Sequence, residues 1–124
     1  MSRRKSPARP RHAPRQNVEG TIYLLHLDPP VAHARHYLGW TERDVVDRLA
    51  EHLRGAGSPL VRAAVERGSR VSLVRTWPAR TRHEERRLKR NSHIPRLCPA
   101  CRAAALARAA AGMRETRSRK ARAG

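Results

Sequence analysis

The chain has 124 residues, with 28 Lys and Arg against 10 Asp and Glu, a formal charge of +18 and a pI near 11.8. That length allows one domain with tails, and the mean hydropathy of −0.77 with no apolar run near the roughly 18 residues of a membrane helix argues against a spanning segment. Two cysteines cannot build a disulfide framework, and the basic start leads into Pro and His, not the apolar stretch of a secretory signal. The expectation is an intracellular, cytoplasmic protein, nucleoid-associated if bacterial.

The charge is uneven. Residues 1–19 carry six Lys/Arg and one Glu, a net +5, and residues 102–124 carry seven and one, a net +6. Residues 20–66, with five Arg and six acids, come to −1, whereas 67–101, with ten Lys/Arg and two acids, come to +8. The globular part is therefore two-sided in sequence, and its second half is expected to face a polyanion. Arg far outnumbers Lys, which a GC-rich coding bias produces without function, but that bias does not explain the shortage of acids. Nucleic acid is the expected partner, ahead of an acidic protein or a membrane surface.

Residues 1–18 are rich in Arg, Pro and Ser with few large apolar groups, and are read as a disordered basic tail. Gly20 to Leu27 has the β-branched, aromatic and apolar character of a strand, stopped by Asp28-Pro29-Pro30. Arg35 to Trp40 is a second short strand, close enough to form an antiparallel hairpin with the first. Thr41-Glu42-Arg43-Asp44 has the form of a capping box, and Val45, Val46, Leu49 and Leu53 follow at helical spacing until Gly55 and Gly57. Ser58-Pro59 opens a second helix, with Leu60, Val61, Ala64 and Val65 as its apolar stripe and Gly68 as its end. Arg70 to Trp77 is a third strand, stopped by Pro78, and Thr81-Arg82-His83-Glu84 is another capping box, opening a very polar helix to about Asn91.

After Pro99 the Ala-rich stretch Ala103 to Ala111 predicts a weakly docked helix, followed by a flexible basic tail over 114–124. The fold class is α/β (α+β): a small, mainly antiparallel three-stranded sheet flanked by helices, in the order β-β-α-α-β-α, with a C-terminal Ala-rich helix. One domain is expected over 19–101, with 102–124 as helix and tail. Its core is expected from Ile22, Leu24, Leu25, Leu27, Leu38, Val45, Leu49, Leu53, Leu60, Val65, Val71, Leu73, Val74 and Leu88.

Four features line up as candidate chemistry. Tyr23 lies in the first strand, Tyr37-Leu38-Gly39 in the second, Arg48 and His52 four apart in the first helix, and Glu85 with Leu88-Lys89 in the polar helix. At 100° per residue Arg48 and His52 fall together at one edge of the apolar arc, where they can face a cleft. This set resembles the GIY-YIG nuclease superfamily, with Thr21-Ile22-Tyr23 after Gly20 as the first motif and Tyr37-Leu38-Gly39 as the second. The resemblance covers roughly 20–97. Two departures stand out: an extra residue separates Gly20 from Ile22-Tyr23, and Trp40 follows Gly39 where some members of the superfamily have a phosphate-holding Lys. Arg82, Arg86 and Lys89 are the substitutes at hand, and are candidate phosphate and DNA contacts.

The resemblance implies a metal-dependent endonuclease acting on DNA phosphodiester bonds. One Mg²⁺ or Mn²⁺ would be held by Glu85 as its single protein ligand. Tyr23 would accept a proton from the attacking water, and the basic surroundings are expected to favour its phenolate. Arg48 would grip the scissile phosphate; Tyr37 would position water or a phosphate oxygen; His52 would orient Arg48 or touch phosphate. The catalytic set is thus Tyr23, Tyr37, Arg48, His52 and Glu85, and it requires the phenols, the guanidinium and the carboxylate to meet at one groove. The residues also have plainer readings: ordinary strand tyrosines, an Arg48–Asp44 helix pair, a Glu85–Lys89 surface pair and a surface histidine. On those, the chain is a catalytically silent nucleic-acid-binding module on the same fold.

Cys98-Pro99-Ala100-Cys101 is a single C-x-x-C. Zinc normally takes four ligands, and His93 and His83 are the candidates to join the pair, at a spacing that matches no standard finger. A reduced pair without metal is expected, with a zinc clip as the alternative. Only four aromatic residues stand in the chain, too few for a base-stacking platform, so contacts to the DNA backbone should dominate, with target choice set by DNA structure or a partner. Trp40 and Trp77 are expected in the core or the cleft wall.

Overall fold

The structure, a computed structural model, describes residues 17–123; residues 1–16 of the expected basic tail lie outside the described residues. The elements are β1 (Glu19–Val31), β2 (Ala34–Thr41), α1 (Val45–Leu53), α2 (Pro59–Glu66), β3 (Arg70–Thr81), α3 (Arg82–Asn91), α4 (Ile94–Leu97) and α5 (Pro99–Ala123). The strands form one antiparallel sheet in the order β2-β1-β3, so the fold is α+β with the expected order.

The pleat sorts the residues of β1. Tyr23 pairs with Gly39 and Leu25 with Tyr37, while Ile22, Leu24 and His26 pair with Trp40, Leu38 and His36. Because neighbours along a strand point to opposite faces, one face carries both tyrosines and the other both histidines. Tyr23, Leu25 and Val61 pack with Tyr37, Val45, Leu49 and Val71 beneath α1 and α2, and Leu27, Val31 and Ala64 continue that layer. On the opposite face Ile22, Leu24, Leu38 and Cys98 pack with Trp40, Trp77, Leu88, Ile94 and Leu97. β1 is thus buried on both sides, which explains its nearly continuous apolar run.

Several boundaries depart from the sequence expectation. β1 runs through Pro29-Pro30 because the β1–β2 ladder is already irregular between His26 and Val31, where a missing N–H breaks no pairing. β3 runs past Pro78 because it is an edge strand; Thr21 pairs with Pro78 and Gly20 with Arg80, leaving Ala79 as an extra residue at φ 57°. The cap of α1 is Asp44, whose carboxylate accepts the Val46 N–H at 2.7 Å; Thr41 instead accepts the Arg43 N–H one turn earlier. The Ser58 cap and the Thr81–Glu84 capping box form as expected. Leu53 and Val46 are exposed, since α1 is too short for both edges of its stripe to reach the sheet. α4 was not foreseen. The Ala-rich helix continues to Ala123, so no break separates the expected helix from the expected flexible tail: Ala and Arg favour helix throughout this stretch.

Candidate active site

Tyr23 is 1 % exposed at the centre of β1, and its phenol crosses Gly39 on β2. A Cβ on Gly39 would lie 2.5 Å from both Tyr23 Cζ and Tyr23 Oη. The glycine of Tyr37-Leu38-Gly39 is therefore the opening through which the phenol reaches its partners. Gly39→Ala is expected to displace Tyr23 and to lower stability by about 1–3 kcal/mol, as overpacking does; denaturant unfolding measures it, and an unchanged midpoint would show that the ring has room.

His52 is 0 % exposed, and the backbone fixes its tautomer. The Ser58 N–H donates to His52 Nδ1 at 3.3 Å, so the ring hydrogen of the neutral imidazole sits on Nε2, which donates to Tyr23 Oη at 2.8 Å. Arg48 Nε–H reaches the same oxygen at 3.4 Å. The phenolic oxygen thus faces two donors, with the Tyr37 ring centroid 6.2 Å from that of Tyr23 and 5.3 Å from that of His52. His52, expected to orient Arg48 or to touch phosphate, is fully buried and its imidazole is hydrogen-bonded to the phenol. Gly57 makes room for it, since a Cβ there would collide with His52 Nδ1.

Burial, the largest influence, pushes the Tyr23 phenol up to about 12, against the lowering effect of the Arg48 hydrogen bond and charge. The expectation that basic surroundings would favour its phenolate is thereby corrected: one guanidinium and one neutral imidazole do not outweigh desolvation. His52 is shifted downward, by burial first and by the Arg48 charge second, which keeps it neutral. A phenol whose pKa rises from 10.0 to about 12 on folding stabilises the fold fully below pH 10, and that contribution, about 2–3 kcal/mol, is lost as pH climbs toward 12. Urea unfolding across that window should show the loss in the native chain and a flatter profile in Tyr23→Phe.

Glu51 escaped the sequence reading. Its Oε1 accepts from Arg43 Nη2 at 2.7 Å and from Arg48 Nη1 at 2.9 Å, and these two cations pull its carboxyl down to about 2. It holds Arg48 against Tyr23, a role the Arg48–Asp44 pairing would not have given. The i,i+3 spacing from Arg48 to Glu51 was the available signal. Ser58, Gly57 and Glu51 are the positioning residues added by the structure.

The convergence required of the set is reached by Tyr23, Tyr37, Arg48 and His52. Glu85 stands apart: it belongs to α3, whose Leu88 packs on the opposite face of the sheet, and among the described residues no hydrogen bond or ion pair links it to the phenols. Its Oε2 lies 3.1 Å from Lys89 Nζ, the pair the plainer reading anticipated. Unlike a surface pair, however, the Glu85 side chain is only 9 % exposed, and Oε2 is buried without a hydrogen-bond donor. Lys89 lines a cavity of about 420 Å³ together with Tyr37, His36 and Leu38 of β2, so the Glu85–Lys89 pair lies beside the β2 edge that carries Tyr37. Arg82 and Arg86 are exposed on the same helix, with Arg82 stacked 5.3 Å from the Trp40 ring.

The cysteine pair finds different partners from those expected. His26, His36, Cys98 and Cys101 bring four ligand atoms within 4.8 Å of one another, a group that could hold a metal ion. His83 and His93, the candidates nearest in sequence, are exposed and outside it. No family model, curated protein or solved structure matches the chain.

Proposed function

We propose that the chain is a metal-dependent endonuclease of the GIY-YIG type, hydrolysing DNA phosphodiester bonds. The observation that carries this reading is the Tyr23 oxygen held between two donors, Arg48 Nε–H and His52 Nε2–H. An ordinary core tyrosine needs one partner; an oxygen that receives two is arranged to bear negative charge. Once the phenol proton of Tyr23 has left to solvent, the phenolate, stabilised by the two donors, is the base that takes the proton of the water attacking phosphorus. Tyr37, on the same face, positions that water or a phosphate oxygen. Arg48, a quarter exposed and braced by Glu51, presents its guanidinium to the scissile phosphate, where a planar cation suits the trigonal-bipyramidal charge.

The buried Oε2 of Glu85, which has the Lys89 ammonium at 3.1 Å but no hydrogen bond, is an oxygen that a hard divalent cation, Mg²⁺ or Mn²⁺, takes as ligand; when bound, such an ion supplies Lewis-acid charge at the phosphate. Glu85 would hold it at the β2 edge, beside the cavity that its partner Lys89 and Tyr37 line together, with Lys89 moving aside to phosphate. The exposed cations of α3, Arg82 and Arg86 among them, dock the DNA backbone without reading bases.

A second reading has its own support. Tyr23 is protonated at neutral pH and Glu85 is already paired with Lys89, which suits a silent module that binds nucleic acid on the same fold. Incubating the purified chain with Mg²⁺ or Mn²⁺ and single-stranded, duplex or branched DNA separates the two. Metal-dependent nicking supports the enzyme; binding without any cut leaves the module.

A further inference from the structure

We propose that His26, His36, Cys98 and Cys101 form a structural zinc site that staples the start of α5 to the β1–β2 hairpin. Its four residues take no part in the proposed reaction, and His26 and His36 lie on the sheet face opposite Tyr23.

Register and capping build it. His26 and His36 are direct cross-strand partners on β1 and β2, which brings their rings together on one face, with centroids 5.1 Å apart. Cys98 is the residue before the first turn of α5, and Cys101 follows one turn on, so a C-x-x-C at a helix start turns both sulfurs the same way. Cys98 is wholly buried in the cluster of Ile22, Leu24 and Leu38, which fixes one corner of the group rigidly.

Four of the six edges have the lengths of a zinc tetrahedron. A zinc with Zn–S of about 2.3 Å and Zn–N of about 2.0–2.1 Å requires an N···N edge of about 3.3 Å and N···S edges of about 3.6 Å. The observed N···N edge, His26 Nδ1 to His36 Nε2, is 3.3 Å. The N···S edges are 3.5 Å for His26 to Cys98, 3.7 Å for His26 to Cys101 and 3.3 Å for His36 to Cys101. An imidazole–imidazole hydrogen bond alone would account for the first distance but not for two thiols closing over it. All four ligand atoms lie within 4.8 Å of one another, which suits one ion and not a two-iron cluster, and a set of two thiolates and two imidazoles favours zinc among divalent metals.

The surroundings carry positive charge. The Cys101 N–H donates to Cys98 Sγ at 3.4 Å, and Cys98 sits at the positive end of a 25-residue helix. Arg35, Arg96, Arg102 and Arg108 line the cavity onto which Cys101 and His26 open, and their charge offsets that of ionised sulfur.

The test is metal analysis of the full chain, expressed with zinc and purified without chelators. One zinc per chain is expected. Replacement by Co²⁺ should give the intense visible bands of a tetrahedral ion and a thiolate-to-cobalt charge-transfer band. Cys101→Ser should weaken zinc binding by about 100-fold or more, whereas His36→Cys should retain zinc and strengthen the charge-transfer band, which keeps the assignment testable if the first variant folds poorly. Stripping the ion with a zinc-selective chelator that leaves Mg²⁺ in place should lower Tm by about 10 °C or more. Tyr23→Phe should keep its zinc. A folded native chain with less than about a tenth of an equivalent, a cobalt spectrum without the thiolate band, or a native Cys98–Cys101 disulfide by mass would overturn the site; an unchanged Tm after removal would overturn its structural role.

Discussion

Tyr23→Phe and Glu85→Gln are each expected to abolish most DNA cleavage while leaving DNA affinity within about twofold, and only the first should lower stability. Removing the phenolic oxygen eliminates the base, a loss of about 10²–10⁴-fold in rate. It also leaves His52 Nε2–H and Arg48 Nε–H without their shared acceptor, and a buried donor without a partner costs about 1–3 kcal/mol. Glu85→Gln keeps the shape but removes the charge that would hold the divalent ion, a loss of about 10³-fold or more if Lewis-acid stabilisation is worth several kcal/mol. Its stability should not fall, because the carboxylate is buried with no hydrogen-bond donor on Oε2, while the partner ammonium is 57 % exposed and stays solvated. Single-turnover nicking assays beside urea unfolding read both quantities. Cleavage that persists in Glu85→Gln would remove the carboxylate from the mechanism.

DNA affinity should collapse with salt. The formal charge is +18, and α3 alone presents Arg82, Arg86, Arg87, Lys89 and Arg90 to solvent, with further exposed arginines on α5. If six to ten phosphates are neutralised, raising salt from about 50 mM to about 200 mM lowers affinity by about 10³–10⁵-fold. A triple change of Arg82, Arg86 and Arg90 to Gln should flatten the salt slope by about three phosphate equivalents, with little change between DNA sequences, because backbone contacts carry no base information. Titrations of labelled duplex at several salt concentrations measure the slope. A shallow slope would sink both the nuclease and the silent-module readings.

Local chemistry was legible where a residue acts through its own backbone. The Ser58 cap and the Thr81–Glu84 box need only residues three apart, and the two positive-φ glycines, Gly55 and Gly68, lie just past α1 and α2 as a helix end prefers. The strand ends were misjudged at the prolines, because the cost of a proline depends on whether its strand is an edge and whether the ladder is already broken, which no local window contains. Tyr23, Tyr37, Arg48 and His52, which the resemblance to the GIY-YIG superfamily singles out, stand together in the structure. The part played by His52 was misread because its burial follows from how α1 and α2 close over β1. The two-histidine, two-cysteine group shows the limit most clearly. The cysteines were visible as a motif, but their partners lie 62 to 75 residues away, and only the cross-strand register of β1 and β2 selects His26 and His36 over His83 and His93.

By itself, the sequence determined the charge, the element order and the α+β class, since these follow from composition, periodicity and turn residues within a few positions of one another. The tertiary structure alone decided which face of the sheet each side chain occupies, that burial pushes the Tyr23 phenol up, that Glu85 is buried beside Lys89, and that two distant pairs, His26 with His36 and Cys98 with Cys101, bring their ligand atoms together. Pleat, register and desolvation are properties of chain segments brought into contact, so they exist only once the sheet has formed.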